Sequence, residues 1–346
     1  MIKKKIHILY TERDGAWGGG NQFLKALKKE MKRRGQYTDN PPEAQYFLFN
    51  SFPFHELHRI HQLYKLKKQG KILIHRVDGP ISQYRGKDLI IDKLIYRIND
   101  LFADATVFQS KWSREQNYIL GMRQKKYEMI ITNAPDNSIF SPSDKSKIIG
   151  EKIKIIATSW SKNVRKGFDV YGYLDNHLDY SRFEMTFVGN SPISFKHIRH
   201  ILPQDSRKLS ILLREHDIFI TASQKDPCSN SLIEALACGL PIVALNDGGH
   251  SELVGGGGVL FNGTHDIIGA INCVVENYKT YRDSIVTYRI DEIAQKYIDF
   301  IMSVGSSPRC SHMALRVYIL LVYVYGWDFF SRIFSFIKKM FVQYGT

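Results

Sequence analysis

Residues 217–245 read DIFITASQKDPCSNSLIEALACGLPIVAL. Asp217–Ala222 is an apolar run of strand length. Asn230–Cys238 sets Leu232, Ile233, Leu236 and Ala237 on one side of a helix, and a second short apolar run follows at Pro241–Leu245. Strand, helix and strand in this order make the βαβ unit of a parallel sheet. The rhythm extends upstream. Ile153–Thr158 and Phe183–Val188 read as strands, Phe168–Leu178 and Ser206–Glu215 as helices. An earlier round has strands at Ile6–Tyr10, Tyr46–Asn50, Lys71–Val77, Thr106–Gln109 and Met129–Asn133. Its helices fall at Asn21–Arg34, His55–Gln69 and 88–100, with another opening near an N-cap at Ser113. Pro135 and Pro142 part the two rounds. The expectation is an α/β protein of two parallel-sheet, Rossmann-like domains, 1–142 and 143–304, with a helical tail at 305–346.

The length of 346 residues suits two domains. Apolar residues are 44% and charged residues 24%, which excludes wholesale disorder. Lys and Arg number 48 against 34 Asp and Glu, a net charge of +14. Residues 1–34 hold ten of those cations and three acids, so half the surplus lies in the first tenth of the chain. Clustered basic charge points to an anionic partner. Four cysteines without CxxC spacing argue against a disulfide scaffold or a zinc ribbon, and reduced thiols in the cytoplasm are expected. Ile6–Tyr10 is too short for a signal-peptide core and reads as the first strand.

Ligands of open α/β sheets bind at the carboxyl ends of strands, so the chemistry belongs in the loops there. Gly18-Gly19-Gly20, between a strand and a helix, lets backbone N–H groups approach an anion. Asp226 precedes the helix of the opening stretch, and Glu234 lies one to two turns into it. A carboxylate at Glu234 looking into the strand-end cleft can accept hydrogen bonds from vicinal hydroxyls such as those of a ribose. Arg165 and Lys166 are cations able to neutralise a diphosphate. His75 and Asp78, at a strand end of the first domain, can orient hydroxyls or shuttle protons. His55, His58 and His61 drift round a helix and read as a surface stripe. No Asp-x-Asp pair occurs, so the usual carboxylate pair for a nucleotide-bound metal is missing.

Taken together, these segments resemble the retaining glycosyltransferases of family four, which have the GT-B architecture. The resemblance runs through most of 6–304 and is strongest over 153–261, through Lys166-Gly167, Asp226–Pro241 and Gly248-Gly249-His250-Ser251-Glu252. Ala103–Ser110 and Asn133–Pro142 also look like the family's interdomain approach. The resemblance implies transfer of a sugar from a nucleotide-sugar, the donor being a substrate and no cofactor or metal being expected. It implies that Glu234 binds the donor ribose and Asp226 the donor sugar's hydroxyls. Lys166, helped by Arg165, would hold the departing diphosphate, near Gly18–Gly20. Asn230 and Ser231 would belong to the same donor-binding set, and His75 would match the catalytic-side histidine. Two departures stand out: the first acidic position is Asp226 where the family has Glu, and the family's Arg ahead of the lysine falls near Ser161-Lys162.

The tail lies outside the resemblance. Val317–Trp327 is an apolar run of eleven, short of a membrane span. From Trp327 onward, Trp327, Phe330, Phe334, Ile337 and Phe341 share one helical face. Such a helix either lies in a membrane interface or packs back on the first domain. The expected partners are a nucleotide-sugar, a glycan or lipid-linked acceptor and an anionic membrane surface, with the protein cytoplasmic and peripheral. Rival readings are a non-catalytic nucleotide-sugar-binding protein at the membrane and a basic nucleic-acid-binding protein. No nucleic-acid motif accompanies the basic charge, and the acidic Asp226/Glu234 pair opposes that last reading.

Overall fold

The structure is a computed structural model, and it describes residues 4–12, 19–51, 57–86, 88–142, 152–305 and 313–326. In the first domain the strands are β1 (Lys5–Leu9), β2 (Ala44–Phe49), β3 (Ile72–Val77), β4 (Ala105–Phe108) and β5 (Tyr127–Ile130). The helices among them are α1 (Gly19–Arg33), α2 (Leu57–Lys68), α3 (Ile81–Arg85), α4 (Leu89–Phe102) and α5 (Lys111–Ile119). The strands form one parallel sheet in the order β1-β2-β3-β4-β5.

A sixth, one-residue contact reveals the winding. Tyr37 bridges Ile6 in parallel, with Ile6 N–H donating to Gln36 and Thr38 N–H to the Ile6 carbonyl. A residue in a strand sends both its backbone groups to one side, so Tyr37 occupies the edge of β1 opposite β2. The chain therefore leaves β1 in one direction and resumes at β2 in the other. This reversal puts helices on both faces, as a buried parallel sheet requires. Side chains alternate accordingly. Ile6, Ile8, Tyr46, Leu48 and Ile74 meet Phe23, Leu27 and Met31 of α1. Phe47, Phe49 and Leu73 meet Leu63 of α2 and Leu94, Ile98 and Phe102 of α4.

The second domain has β6 (Ile153–Ser159), α6 (Phe168–His177), β7 (Phe183–Gly189), β8 (Arg199–Ile201), α7 (Ser206–Glu215), β9 (Ile218–Thr221), α8 (Asn230–Ala237), β10 (Ile242–Leu245), α9 (His250–Val254) and β11 (Gly258–Phe261). Helices α10 (Ile267–Glu276), α11 (Tyr278–Asp283) and α12 (Ile290–Ser303) follow. Its parallel sheet runs β11-β10-β9-β6-β7-β8, reversing between β6 and β9. Ile155 and Ala157 pack on Phe168, Tyr171 and Leu174 of α6, while Ile156 and Phe219 pack on Leu232, Ile233 and Leu236 of α8.

Both domains carry the same polar clamp. Asp104, just before β4, donates its N–H to the Leu73 carbonyl, and its carboxylate accepts Leu73 N–H at 2.9 Å and the buried Lys67 ammonium. Asp217, just before β9, donates to the Lys154 carbonyl at 2.7 Å and accepts Lys154 N–H at 2.8 Å. In each sheet one carboxylate thus prolongs the ladder by a rung and pins the register of the incoming strand.

Two expectations need correction. Helix α5 begins at Lys111 because Ser110, not Ser113, is its N-cap: the Ser110 hydroxyl accepts Ser113 N–H at 3.0 Å. Residues 290–304, grouped by sequence with the second domain, pack on α1 through Ile293, Ala294, Tyr297 and Ile301 and complete the first domain's core. The apolar face of α12 thus finds its counterpart on α1, not on the second sheet. In the tail, 313–326 is a helix, α13, whose Val317, Leu320 and Val324 join α2 and α4 on the first domain. The proposed amphipathic stretch from Trp327 lies outside the described residues. None of the described helices is long and apolar enough to cross a membrane.

Candidate active site

The strand ends of the second sheet open onto a cavity of about 270 Å3 that α1 of the first domain closes. The loop after β6 contributes Ser159, Trp160 and Ser161, and the turn before α6 contributes Lys166. Gly189 follows from β7, Pro203 and Gln204 from beyond β8, and Asp226, Ser229, Asn230 and Ser231 from beyond β9. Glu234 of α8 and Gly19 and Gln22 of α1 complete the lining.

Lys166 is placed by a short turn, Val164–Lys166, which Asn163 caps by accepting Arg165 N–H. Gly167 ends the turn at φ 75°, with the space of a Cβ filled by Ala222 at 2.3 Å from its carbonyl oxygen. Only glycine satisfies both demands there. The Lys166 ammonium reaches the Asp226 carboxylate at 3.1 Å. Burial alone would raise the Asp226 pKa, but the Lys166 and His250 charges and hydrogen bonds from Lys166 and Cys228 N–H hold it below the usual carboxylate range.

Glu234 is the unusual group. It is buried and lines the cavity, its carboxyl makes no hydrogen bond to a described residue, and burial pushes its pKa up to about 8. A buried carboxyl with open acceptor sites facing a cavity is built to receive donors from a ligand.

The helix ends supply the complementary sign. The N-terminus of α8 and that of α1 meet here, so closely that a Cβ on Gly19 would lie 2.3 Å from that of Asn230. Ser229, at the N-cap of α8, makes no side-chain cap. Two helix dipoles and the Lys166 ammonium converge on one region, the electrostatics of an anion site.

Among the residues expected from sequence, Gly19, Lys166, Asp226, Asn230, Ser231 and Glu234 are brought together. Gly18 lies outside the described residues. Gly20 opens α1 but does not line the cavity, and nothing crowds its α-carbon. Arg165 turns toward the first domain, its guanidinium near Gly86. His75 points into the first domain's interior. Its ring stacks on Phe49 at 4.5 Å and bonds to Ser51 at 2.7 Å and Asn99 at 3.0 Å. Burial lowers its pKa to about 4, so it stays neutral at pH 7. Asp78 is held by Arg76 at 2.9 Å and by Gln109. Among the described residues no cluster of His, Cys, Asp and Glu could hold a metal ion.

Sequence reasoning missed the polar bridge between the domains. Arg76 donates to Asn133 at 2.7 Å, and Asn133 donates to Gln109 at 3.1 Å and to Asn230 at 3.0 Å. It also missed a clasp: the Glu252 carboxylate of α9 accepts both Lys111 and Trp112 N–H at 2.8 Å, capping α5 of the other domain. Neither has a local signal, since the links that cross between the domains pair residues about 100 positions or more apart.

Comparisons with known proteins agree with this geometry. Residues 195–288 match the family described as Glycosyl transferases group 1. HepE from Anabaena, solved in complex with UDP, superposes with a TM-score of 0.67 at 15% identity, over 87% of this chain and 100% of that one. HepE in complex with UDP-glucose gives 0.62 at 13% identity, over 87% and 98%. Sucrose-phosphate synthase from Thermosynechococcus elongatus gives 0.61 at 12% identity, over 93% and 99%. No curated protein matches the chain in sequence. The likenesses establish the fold as GT-B, two Rossmann-like domains across a cleft. The matched segment, 195–288, lies in the second domain and is similar there to the group 1 glycosyltransferases.

Proposed function

We propose that the protein moves a sugar from a nucleotide-sugar to a hydroxyl of a glycan or lipid-linked acceptor, with retention and without a metal. The observation that carries this reading is Glu234, a buried carboxyl facing the cavity with no hydrogen bond to a described residue. The donor ribose fills that vacancy with its two hydroxyls. The diphosphate lies against Lys166 and the N-termini of α8 and α1, which stabilise the charge that develops as the anomeric C–O bond breaks. Asp226 then has two demands on it, the Lys166 ammonium and the donor sugar's hydroxyls. The acceptor hydroxyl attacks from the face the diphosphate leaves, and its proton passes to the leaving oxygen. This route asks nothing of His75 as a base, in keeping with its burial.

The acceptor side is read from charge. A protein of net charge +14 with its cations gathered on the first domain and tail suits an anionic surface, so the protein is taken to work at the cytoplasmic face of a membrane. The test is turnover. UDP-glucose, which the structural neighbour HepE binds, is the first donor to try, beside ADP- and GDP-sugars. Donor hydrolysis that Glu234→Ala abolishes while melting stays cooperative is the expected result. Full activity in that variant refutes the assignment.

A further inference from the structure

We propose that the outer face of α13, with the basic groove beside it, is a docking surface for anionic lipid. The proposal deepens the membrane-facing reading above and gives it a location. Helix α13 uses Val317, Leu320 and Val324 to pack on the first domain. Its other side is also apolar: Leu315, Tyr318, Ile319, Val322, Tyr323 and Tyr325 are each about half exposed or more. The described helix contains no acid, and its one charge is Arg316. A helix apolar all round, seated on a surface, leaves one face seeking an apolar medium.

Charge decides which medium. Ile319 and Leu320 border a groove of about 480 Å3 lined by Arg97, Arg123, Lys125 and Arg316 against a single acid, Asp100. The Arg97 guanidinium lies 5.6 Å over the Tyr323 ring, joining the groove to the apolar face. Neighbouring helices add exposed Lys65 and Lys68 on α2 and Lys93 on α4. The chain's own residues 327–346 carry Arg332, Lys338 and Lys339 against Asp328 and so add to the positive sign. Face and tail share a positive sign, and phosphate headgroups above an acyl layer complement both.

The test uses the full chain with vesicles of phosphatidylcholine, alone or mixed with phosphatidylglycerol, in flotation. Wild type is expected on the mixed vesicles and not on the neutral ones. Tyr318→Ser/Ile319→Ser/Val322→Ser should lower the affinity at least tenfold. Arg97→Gln/Arg123→Gln/Arg316→Gln should lower it by roughly fivefold per cation and remove the preference for phosphatidylglycerol. All six side chains lie at the surface or the groove, and unchanged melting temperatures show that both variants fold. Wild-type indifference to phosphatidylglycerol overturns the proposal. So does unchanged binding of both variants, which assigns any binding to 327–346. A wild-type dimer that the serine variant makes monomeric, with vesicle binding unaltered, also overturns it in favour of a second copy. A thermal shift with UDP in parallel reports on the donor site alone, so failure of the lipid surface and of the transferase reading are told apart.

Discussion

In the proposed function Glu234 trades stability for binding, and Glu234→Gln tests the trade. In the ligand-free protein its pKa rises from 4.5 to about 8 through burial. The folded state therefore keeps a proton that the unfolded chain releases across that window. Stability from this group is whole below pH 4.5 and is lost as pH climbs to about 8, a cost on the order of 4 kcal/mol. Glu234→Gln cannot ionise, so the ligand-free variant should melt several degrees above wild type at pH 8.5 and near it at pH 5. Binding moves the other way. Two charge-assisted hydrogen bonds to a ribose contribute about 1.5–3 kcal/mol each, and the amide keeps only part of that. UDP affinity should fall roughly 30- to 1000-fold. In wild type, binding below pH 8 should also release a proton, visible as a buffer-dependent heat in calorimetry. A ligand-free variant less stable than wild type at pH 8.5, or unchanged UDP affinity, refutes the reasoning.

Three further outcomes are expected. Lys166→Ala removes the ammonium paired with the largely covered Asp226 carboxylate and should destabilise the protein by about 1–3 kcal/mol in chemical denaturation. Its loss of affinity should be larger for UDP than for uridine, as the proposed place of the cation beside the diphosphate requires. Gly19→Val drives a side chain into Asn230 and should hold the domains apart, seen as a larger radius of gyration in small-angle scattering and loss of turnover. Glu252→Ala removes a two-point cap from α5, worth about 0.5–2 kcal/mol, and should speed amide exchange at Lys111 and Trp112 while the second sheet stays protected.

The strands that cross the middle of each sheet were legible because burial on both faces writes them as mostly apolar runs, as at Ile153–Thr158 and Asp217–Ala222. Strands β8 and β11 were not. Arg199–Ile201 is three residues long and Gly258–Phe261 begins with glycine, and both become strands only because a finished neighbour offers an edge. The gathering of Asp226, Asn230 and Glu234 at one cavity was readable for a local reason: they lie within one loop and two turns of helix. The first domain's share was not. His75 and Asp78 sit beside a strand end, as expected, yet partners distant in sequence decide which way they face. Arg76, Asn99, Gln109 and Ser51 claim them. The destination of α12 escaped for the same reason, since an amphipathic stripe states that a helix needs a partner and not which one.

Because α12 belongs to the first domain, the chain passes between the domains twice, between Ala134 and Phe140 and again through the irregular segment 285–289. Near the second crossing, Ile290 N–H donates to Asn137 at 2.8 Å, so the return is moored beside the departure. A body hung at two neighbouring points swings as a door does: about the line through its hinges, with sliding and twisting suppressed. Opening the cleft then separates Gly19 from Asn230 and Glu252 from α5 in one movement. Opening of the cleft and release of the interdomain clasp would then be a single mechanical event.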